Sequence, residues 1–181
     1  NQEMSISLMS VHAIVEKDLF QIKDKLSYAA NVLASSRDAG KSANGENFPD
    51  EFVLYVSCPT VLRPDAGLIS DSKYHIVDIV MQSPSYEKWD ELRKKGKKIY
   101  KEEKLKYADK MIEITDAMLI PGLKESVRFK ETYTAKTIER FCGCEEGSVY
   151  TFAPTPEQFI PNRFHPKTPI DGLYLTGSTV M

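Results

Sequence analysis

YHIVDIVMQSPSYEKWDELRKKGKKIYKEEKLKYADKMIEITDAML, residues 74–119, sets a strand directly against a long helix. Tyr74 to Met81 is dense in β-branched side chains (Ile76, Val77, Ile79, Val80), which suit a pleated, half-buried surface. Ser83-Pro84-Ser85 then supplies a helix start with Ser85 as N-cap, and the helix is expected to run from about Ser85 to Leu119. In its second half Tyr100, Tyr107, Met111, Ile114 and Met118 fall on one stripe, flanked by Ala108, Ile112 and Leu119. Gly96 lies inside this run, where glycine is a poor helix former, and Pro121-Gly122 ends it.

Upstream, Phe52 to Ser57 is an apolar run with the length of a buried strand, and Pro59, Pro64, Gly67 and Ser70-Asp71-Ser72 describe an irregular connection to Tyr74. Ser36 to Pro49 reads as an exposed loop. Ser5 to Val15 fits a strand or a helix, and Leu19 to Leu33 is mixed. Downstream, Ser126 to Tyr133 alternates as a strand does. Thr134 fits an N-cap for a short helix over Ala135 to Phe141. Val149 to Phe152 and, after a Pro-rich passage, Gly172 to Thr176 are expected strands. The expectation is an α+β fold: a mixed β-sheet with one long helix packed against it, and a C-terminal strand.

The chain has 181 residues, 41% hydrophobic and 28% charged, which allows one domain with a real core. A formal net charge of -2 gives no electrostatic case for a nucleic-acid partner. Phe52 to Val56 is the longest apolar run, far short of a membrane span, and no charged-then-apolar leader opens the chain. Cys58, Cys142 and Cys144 make no disulfide framework, so a reducing, cytoplasmic setting is expected. The chain opens at Asn1 without an initiator Met and stops at Met181 after a strand-like segment, as an excised piece would.

The glycines exclude a dinucleotide fingerprint. They stand at 40, 45, 67, 96, 122, 143, 147, 172 and 177, and no two are separated by two positions, so G-x-G-x-x-G does not occur. Gly40 and Gly45 have phosphate-loop spacing, but Glu46 stands where the lysine belongs. Arg93 to Lys110 is lysine-rich but interleaved with Glu102, Glu103 and Asp109, the pattern of a solvated helix face. Cys142-Gly143-Cys144 is too closely spaced for a structural zinc pair, and His12, His75 and His165 are scattered, so no metal site and no serine–histidine–acid trio stands out from spacing. Tyr86, Trp89 and Tyr100 fit the core side of an amphipathic helix, the favoured reading, or the wall of an apolar ligand cavity.

The final segment is the most specific. Thr168-Pro169-Ile170-Asp171-Gly172-Leu173-Tyr174-Leu175-Thr176-Gly177 places a short strand after a Pro-stiffened lead-in and a glycine at its carboxyl end. It closely resembles the C-terminal flavin-site signature, approximately T-P-I-x-G-L-Y-L-x-G, of the phytoene desaturase, carotenoid isomerase and retinol saturase group. Upstream pieces follow in that family's order. Ser57-Cys58-Pro59-Thr60 is similar to its strand ending. Trp89, Tyr100 and Lys104 resemble landmarks of its long helix, and Ile120-Pro121-Gly122-Leu123 resembles the exit from it. Thr134-Ala135-Lys136-Thr137, Glu139-Arg140-Phe141 and Gly147-Ser148-Val149-Tyr150 resemble its T-P-x-T, E-R-Y and G-x-x-Y-G elements. The likeness covers about residues 50 to 181. Ala135 replaces the usual proline, Thr151 stands where a glycine is usual, and the connection after Pro59 is longer than the family's, which marks a divergent member.

The resemblance implies non-covalently bound FAD and chemistry on the double bonds of a long apolar isoprenoid, with the cofactor carrying the redox step. It implies that residues 1–165 are a substrate-binding unit. Residues 166–181 begin a flavin-facing segment whose Thr176, Gly177 and Ser178 contribute backbone near the phosphate–ribityl region. A Rossmann-like flavin half belongs to that family but not to this chain, which is therefore expected to be inactive and flavin-free by itself. Peripheral membrane contact is a further implication. No catalytic residue is assigned, and the oligomeric state is left open. The alternatives are a piece of an amine-oxidase-like flavoenzyme, which a polar pocket with an aromatic cage would favour, and a non-catalytic module that holds an apolar ligand.

Overall fold

The structure, a computed structural model, describes residues 3–26, 31–36, 45–69, 71, 73–158, 163–177 and 180. Five strands form one sheet in the order β2-β3-β4-β1-β5: β1 Leu8–Glu16, β2 Asn31–Ala34, β3 Val53–Ser57, β4 Tyr74–Gln82 and β5 Val127–Tyr133. The α+β class holds. All four ladders are antiparallel, where the sequence alone left room for parallel pairing.

The ambiguous first stretch becomes β1, near the middle of the sheet. Its period is two: Met9, Val11, Ala13 and Val15 are buried while Leu8, Ser10, His12, Ile14 and Glu16 point to the other face. β4 alternates in the same way, burying His75, Val77, Ile79 and Met81. Leu54 and Val56 of β3 complete the buried face. Each buried Val, Leu, Ile or Met among them contributes roughly 1.5–3 kcal/mol. The mixed stretch after β1 divides into a 3-10 turn at Phe20–Ile22, α1 Lys23–Leu26 and β2. α2 Pro59–Leu62 starts the connection from β3 to β4. The expected loop from Ser36 to Pro49 lies partly outside the described residues; its described part, from Gly45, is turns.

The long helix is two. Gly96 adopts φ 141, ψ 151, far from helical, and divides α3 Tyr86–Lys95 from α4 Lys97–Met118. Only glycine takes this conformation without strain, so the break sits where helix propensity is lowest. Ser85 caps α3, accepting from the Lys88 N–H at 3.4 Å. α4 packs against β1, β4 and β5, burying Tyr100, Tyr107, Ala108, Met111 and Ile112, while Met118 at the end of the expected stripe is half exposed. Trp89 of α3 is fully buried between Tyr100 and Tyr107, with ring centroids 5.8 and 5.6 Å away. The aromatics of this helix pair are core, as favoured above.

α5 Leu123–Ser126 leads into β5, and α6 Ala135–Cys142 follows it. Thr134 caps α6 in a reciprocal box with Thr137. Two expected strands do not form. Val149 to Phe152 makes only isolated bridges at its flanks, Ser7 with Ser148 and Met4 with Phe152, because Thr151 turns to φ 63. A glycine is usual there in the resembling family, and this left-handed conformation is one that glycine adopts freely. Gly172 to Thr176 makes one bridge, Lys167 with Tyr174, and residues 171–177 are exposed. A strand holds its shape by ladder bonds, and this segment has a single bridge among the described residues.

The lysine-rich helix face is solvated, with Lys94–Asp90, Lys106–Glu103 and Lys110–Glu113 paired along it. The three cysteines are free, and burial pushes the Cys58 thiol up to about 12, where it is inert. No cluster of metal-ligating side chains occurs among the described residues. No helix among them is long and apolar enough to cross a membrane.

Candidate functional site

The helices cover one face of the sheet. The other is open, and strand register arranges its side chains in three bands running across the strands. The first is Val32, Tyr55, Val80, Ser10 and Tyr133, each opposite the next. The second is polar: Ser57, Asp78, His12 and Glu131. The third is Ile76, Ile14 and Phe129. Val32 is 60% exposed, Tyr55 48%, Phe129 54% and Tyr133 38%, so this is an apolar surface and not a core. Four strand spacings make the sheet roughly 19 Å wide. A depression of about 400 Å³ lies over the second and third bands, walled by Ile14, Ile76, Phe129 and Tyr133 and lined also by Pro59 and Leu68. That volume lies within the usual range for small-molecule sites.

His12 stands at the centre. A carboxylate only accepts, so His12 Nδ1–H donates to Asp78 Oδ1 at 2.7 Å, and Ser10 O–H donates to Nε2 at 3.2 Å. Tyr133 meets the imidazole edge-on at 5.1 Å. Sequence spacing did not suggest this trio, because Asp78 comes from another strand and only register brings it opposite His12. The connectivity is that of a serine nucleophile with its base. Ser10, however, lies mid-strand between two ladders, where backbone N–H groups pair with β4 and β5. The arrangement therefore offers no backbone oxyanion hole and does not support acyl transfer. It orients a polar group within an apolar face.

The other two histidines stay apart. His165 is exposed. His75 is buried on the helix-covered side beside a smaller cavity of about 150 Å³ lined by Phe20, Arg63, Leu68 and Tyr74. Ile76 N–H donates to Thr60 Oγ1 at 3.1 Å, which leaves the Thr60 hydroxyl to donate to His75 Nδ1 at 3.0 Å. The His75 proton then sits on Nε2, which has no hydrogen-bond partner. Burial, opposed by Asp18, holds the His75 pKa below 6.5. The unfolded chain therefore takes up this proton first, and the stability contributed above about pH 6.5 is lost as pH falls from there toward the folded-state pKa. Melting temperatures recorded across this interval should fall with acidity, and His75→Gln should remove part of that slope.

The landmark residues of the resemblance form a scaffold. Trp89 Nε1–H donates to Ser83 Oγ at 2.9 Å, the Tyr100 and Thr134 hydroxyls bond at 2.6 Å, and Lys104 Nζ donates to Thr132 O at 3.0 Å. Tyr86 O–H donates to Glu139 at 2.7 Å, and Lys136, itself bonded to Glu139, holds that carboxyl below its ordinary range. These bonds tie α3 and α4 to β5 and α6, so the landmarks orient the sheet's supporting layer and do not line its open face.

Thr176 and Gly177 are exposed near the chain end, and Ser178 is outside the described residues. Gly177 has φ 119, and a Cβ there would meet no atom within 4 Å. The described part of this segment is thus open and encloses no group by itself.

No family model matches the chain. Among curated proteins it is 35% identical over 130 residues, 70% of its length, to "Prolycopene isomerase 2, chloroplastic" of an Oncidium hybrid cultivar. "Prolycopene isomerase, chloroplastic" of Arabidopsis thaliana matches at 35% over the same length, and that of Daucus carota at 34%. Over most of its length the chain is related to prolycopene isomerases. It spans about a fifth of those relatives, 20% of the Oncidium and Arabidopsis proteins and 19% of the carrot protein. The resemblance to the carotenoid isomerase group thus stands at the level of sequence relationship.

Proposed function

We propose that this chain is the substrate-side piece of an FAD-dependent oxidoreductase of the phytoene-dehydrogenase-related kind, and that its open sheet face is the wall against which a long isoprenoid lies. The observation that carries the reading is the broad apolar face, backed by a rigid helical layer, in a chain related to prolycopene isomerases. Residues 1–165 act as the substrate unit. Residues 166–181 start a flavin-facing segment, in which Thr176, Gly177 and Ser178 would meet FAD held mainly by parts outside this chain. That cofactor supplies the redox chemistry when bound, while this chain excludes water and orients the polyene. The same apolar substrate makes contact with a membrane surface part of the proposal. A reducing compartment fits the three free cysteines. For its location we propose the plastid, following the word chloroplastic in the relatives' names in place of the cytoplasm.

The amine-oxidase-like alternative is less well supported. The aromatic side chains spread over the face and do not form a cage around one point.

The test is a titration of the chain with a C40 polyene hydrocarbon delivered in detergent micelles, read by the shift of polyene absorbance. Saturable binding is expected, and Phe129→Glu should weaken it at least ~10-fold, since a carboxylate placed under hydrocarbon costs several kcal/mol of desolvation. Phe129 is exposed, so circular dichroism of the variant should match the parent. A folded chain that takes up no polyene, or a Phe129→Glu variant that binds it as well as the parent, would overturn the reading.

A further inference from the structure

A wall for a pure hydrocarbon has no use for the polar band that crosses it. Ser57, Asp78, His12 and Glu131 run from β3 to β5 through the middle of the apolar surface, and Asp78, His12 and Glu131 all border the 400 Å³ depression. Their free capacity is that of acceptors. Asp78 uses Oδ1 for His12, and His12 Nε2 is taken by Ser10. The Glu131 side chain has neither a hydrogen bond nor an ion pair among the described residues. A hydrocarbon laid over the depression would strip water from Glu131 and from the open oxygen of Asp78 and return nothing. A ligand that places one O–H or N–H on the band would offset that cost with a charge-assisted bond.

The neighbourhood selects between these donors. Glu131 and Tyr133 also line a second depression, together with Arg93, Lys104, Lys136 and Arg140. Lys136 is already paired with Asp90 and Glu139, but Arg93, Lys104 and Arg140 face no carboxylate within salt-bridge distance among the described residues. These cations share that second depression with Glu131. An ammonium ligand would meet their repulsion, whereas a hydroxyl would not.

We propose that the open-face depression binds an elongated isoprenoid alcohol, its chain on Ile14, Ile76 and Phe129 and its hydroxyl donating to the Asp78–His12–Glu131 band. This rests on the reading of the face as an isoprenoid wall and names the class of isoprenoid it prefers. His12, locked by Asp78 and Ser10, keeps the Asp78 oxygen oriented, so it acts as a positioning residue.

The experiment is competitive displacement of a bound fluorescent polyene from the chain by three ligands of one C20 skeleton: geranylgeraniol, its deoxy hydrocarbon and geranylgeranylamine. One charge-assisted bond predicts that the alcohol displaces the probe at a concentration about 10-fold lower than the hydrocarbon. The amine is expected to do no better than the alcohol. Glu131→Leu, at an exposed position on an edge strand, should bring alcohol and hydrocarbon to within about twofold without weakening the hydrocarbon. Alcohol and hydrocarbon equal in the parent chain, the amine tightest of the three, or a preference that survives both Glu131→Leu and Asp78→Leu would each overturn the proposal while leaving the isoprenoid wall standing. A probe that does not bind, or that none of the three displaces, overturns the wall and the alcohol together.

Discussion

Trp89→Ala is expected to lower the free energy of unfolding by about 3–5 kcal/mol, a large share of the stability of a chain this size. Trp89 is fully buried, and its ring meets Tyr100 and Tyr107 edge-on while Nε1–H donates to Ser83 Oγ. Truncation would leave a cavity between α3 and α4 and strand the hydroxyl of Ser83, itself buried at the end of β4. Neither helix relaxes easily into that space, because the Tyr100–Thr134 and Lys104–Thr132 bonds hold α4 to the far side of the sheet. Urea unfolding should show the midpoint falling with little change in slope. Trp89→Phe, which keeps one aromatic ring but loses the pyrrole part of the indole and its bond to Ser83, should retain more of the stability than the alanine variant. A loss of under 1 kcal/mol in the alanine variant would mean that the helix pair is not packed as described.

Gly147→Ala should be comparably damaging for a different reason. Gly147 follows α6 at φ +64, and a Cβ there would fall 2.6 Å from Ala135 Cα and 2.7 Å from its carbonyl carbon. Both are backbone atoms at the capped first turn of α6, which cannot yield as the end of a side chain would. The expected cost is roughly 3 kcal/mol or more. Gly143 is the matched control. It has φ +69 just beyond the same helix, yet a Cβ there meets nothing within 4 Å. Gly143→Ala should therefore show only the left-handed backbone penalty, roughly 1–2 kcal/mol. If the two variants unfold at the same urea concentration, the close approach of Gly147 to α6 is not what the glycine serves.

Local chemistry was legible in advance where it acts alone. Ser85 and Thr134 cap the helices at the positions their side chains suggested, whereas the single long helix expected over Ser85 to Leu119 is divided at Gly96. The β-branched density of β4 and the alternation of β5 were likewise sufficient. The segments that misled are those whose conformation depends on neighbours. Val149 to Phe152 and Gly172 to Thr176 have strand composition, but a strand needs a ladder, and each finds only isolated bridges among the described residues.

The polar band shows the same division within the site. His12 reads in the sequence as a lone histidine, and Asp78 as one polar residue in an apolar strand. Nothing in their spacing of 66 positions joins them. The sequence by itself determined the element types, their caps and breaks, the absence of a dinucleotide fingerprint, and a relationship to carotenoid isomerases. These depend on side chains within a few positions of one another or on short motifs. Only the tertiary structure decided which sheet face stays open, that Ser10, His12 and Asp78 meet, and that Glu131 borders the same depression as His12 and Asp78. Register aligns residues far apart in the chain, and a slip of one residue in β4 would turn Asp78 into the core.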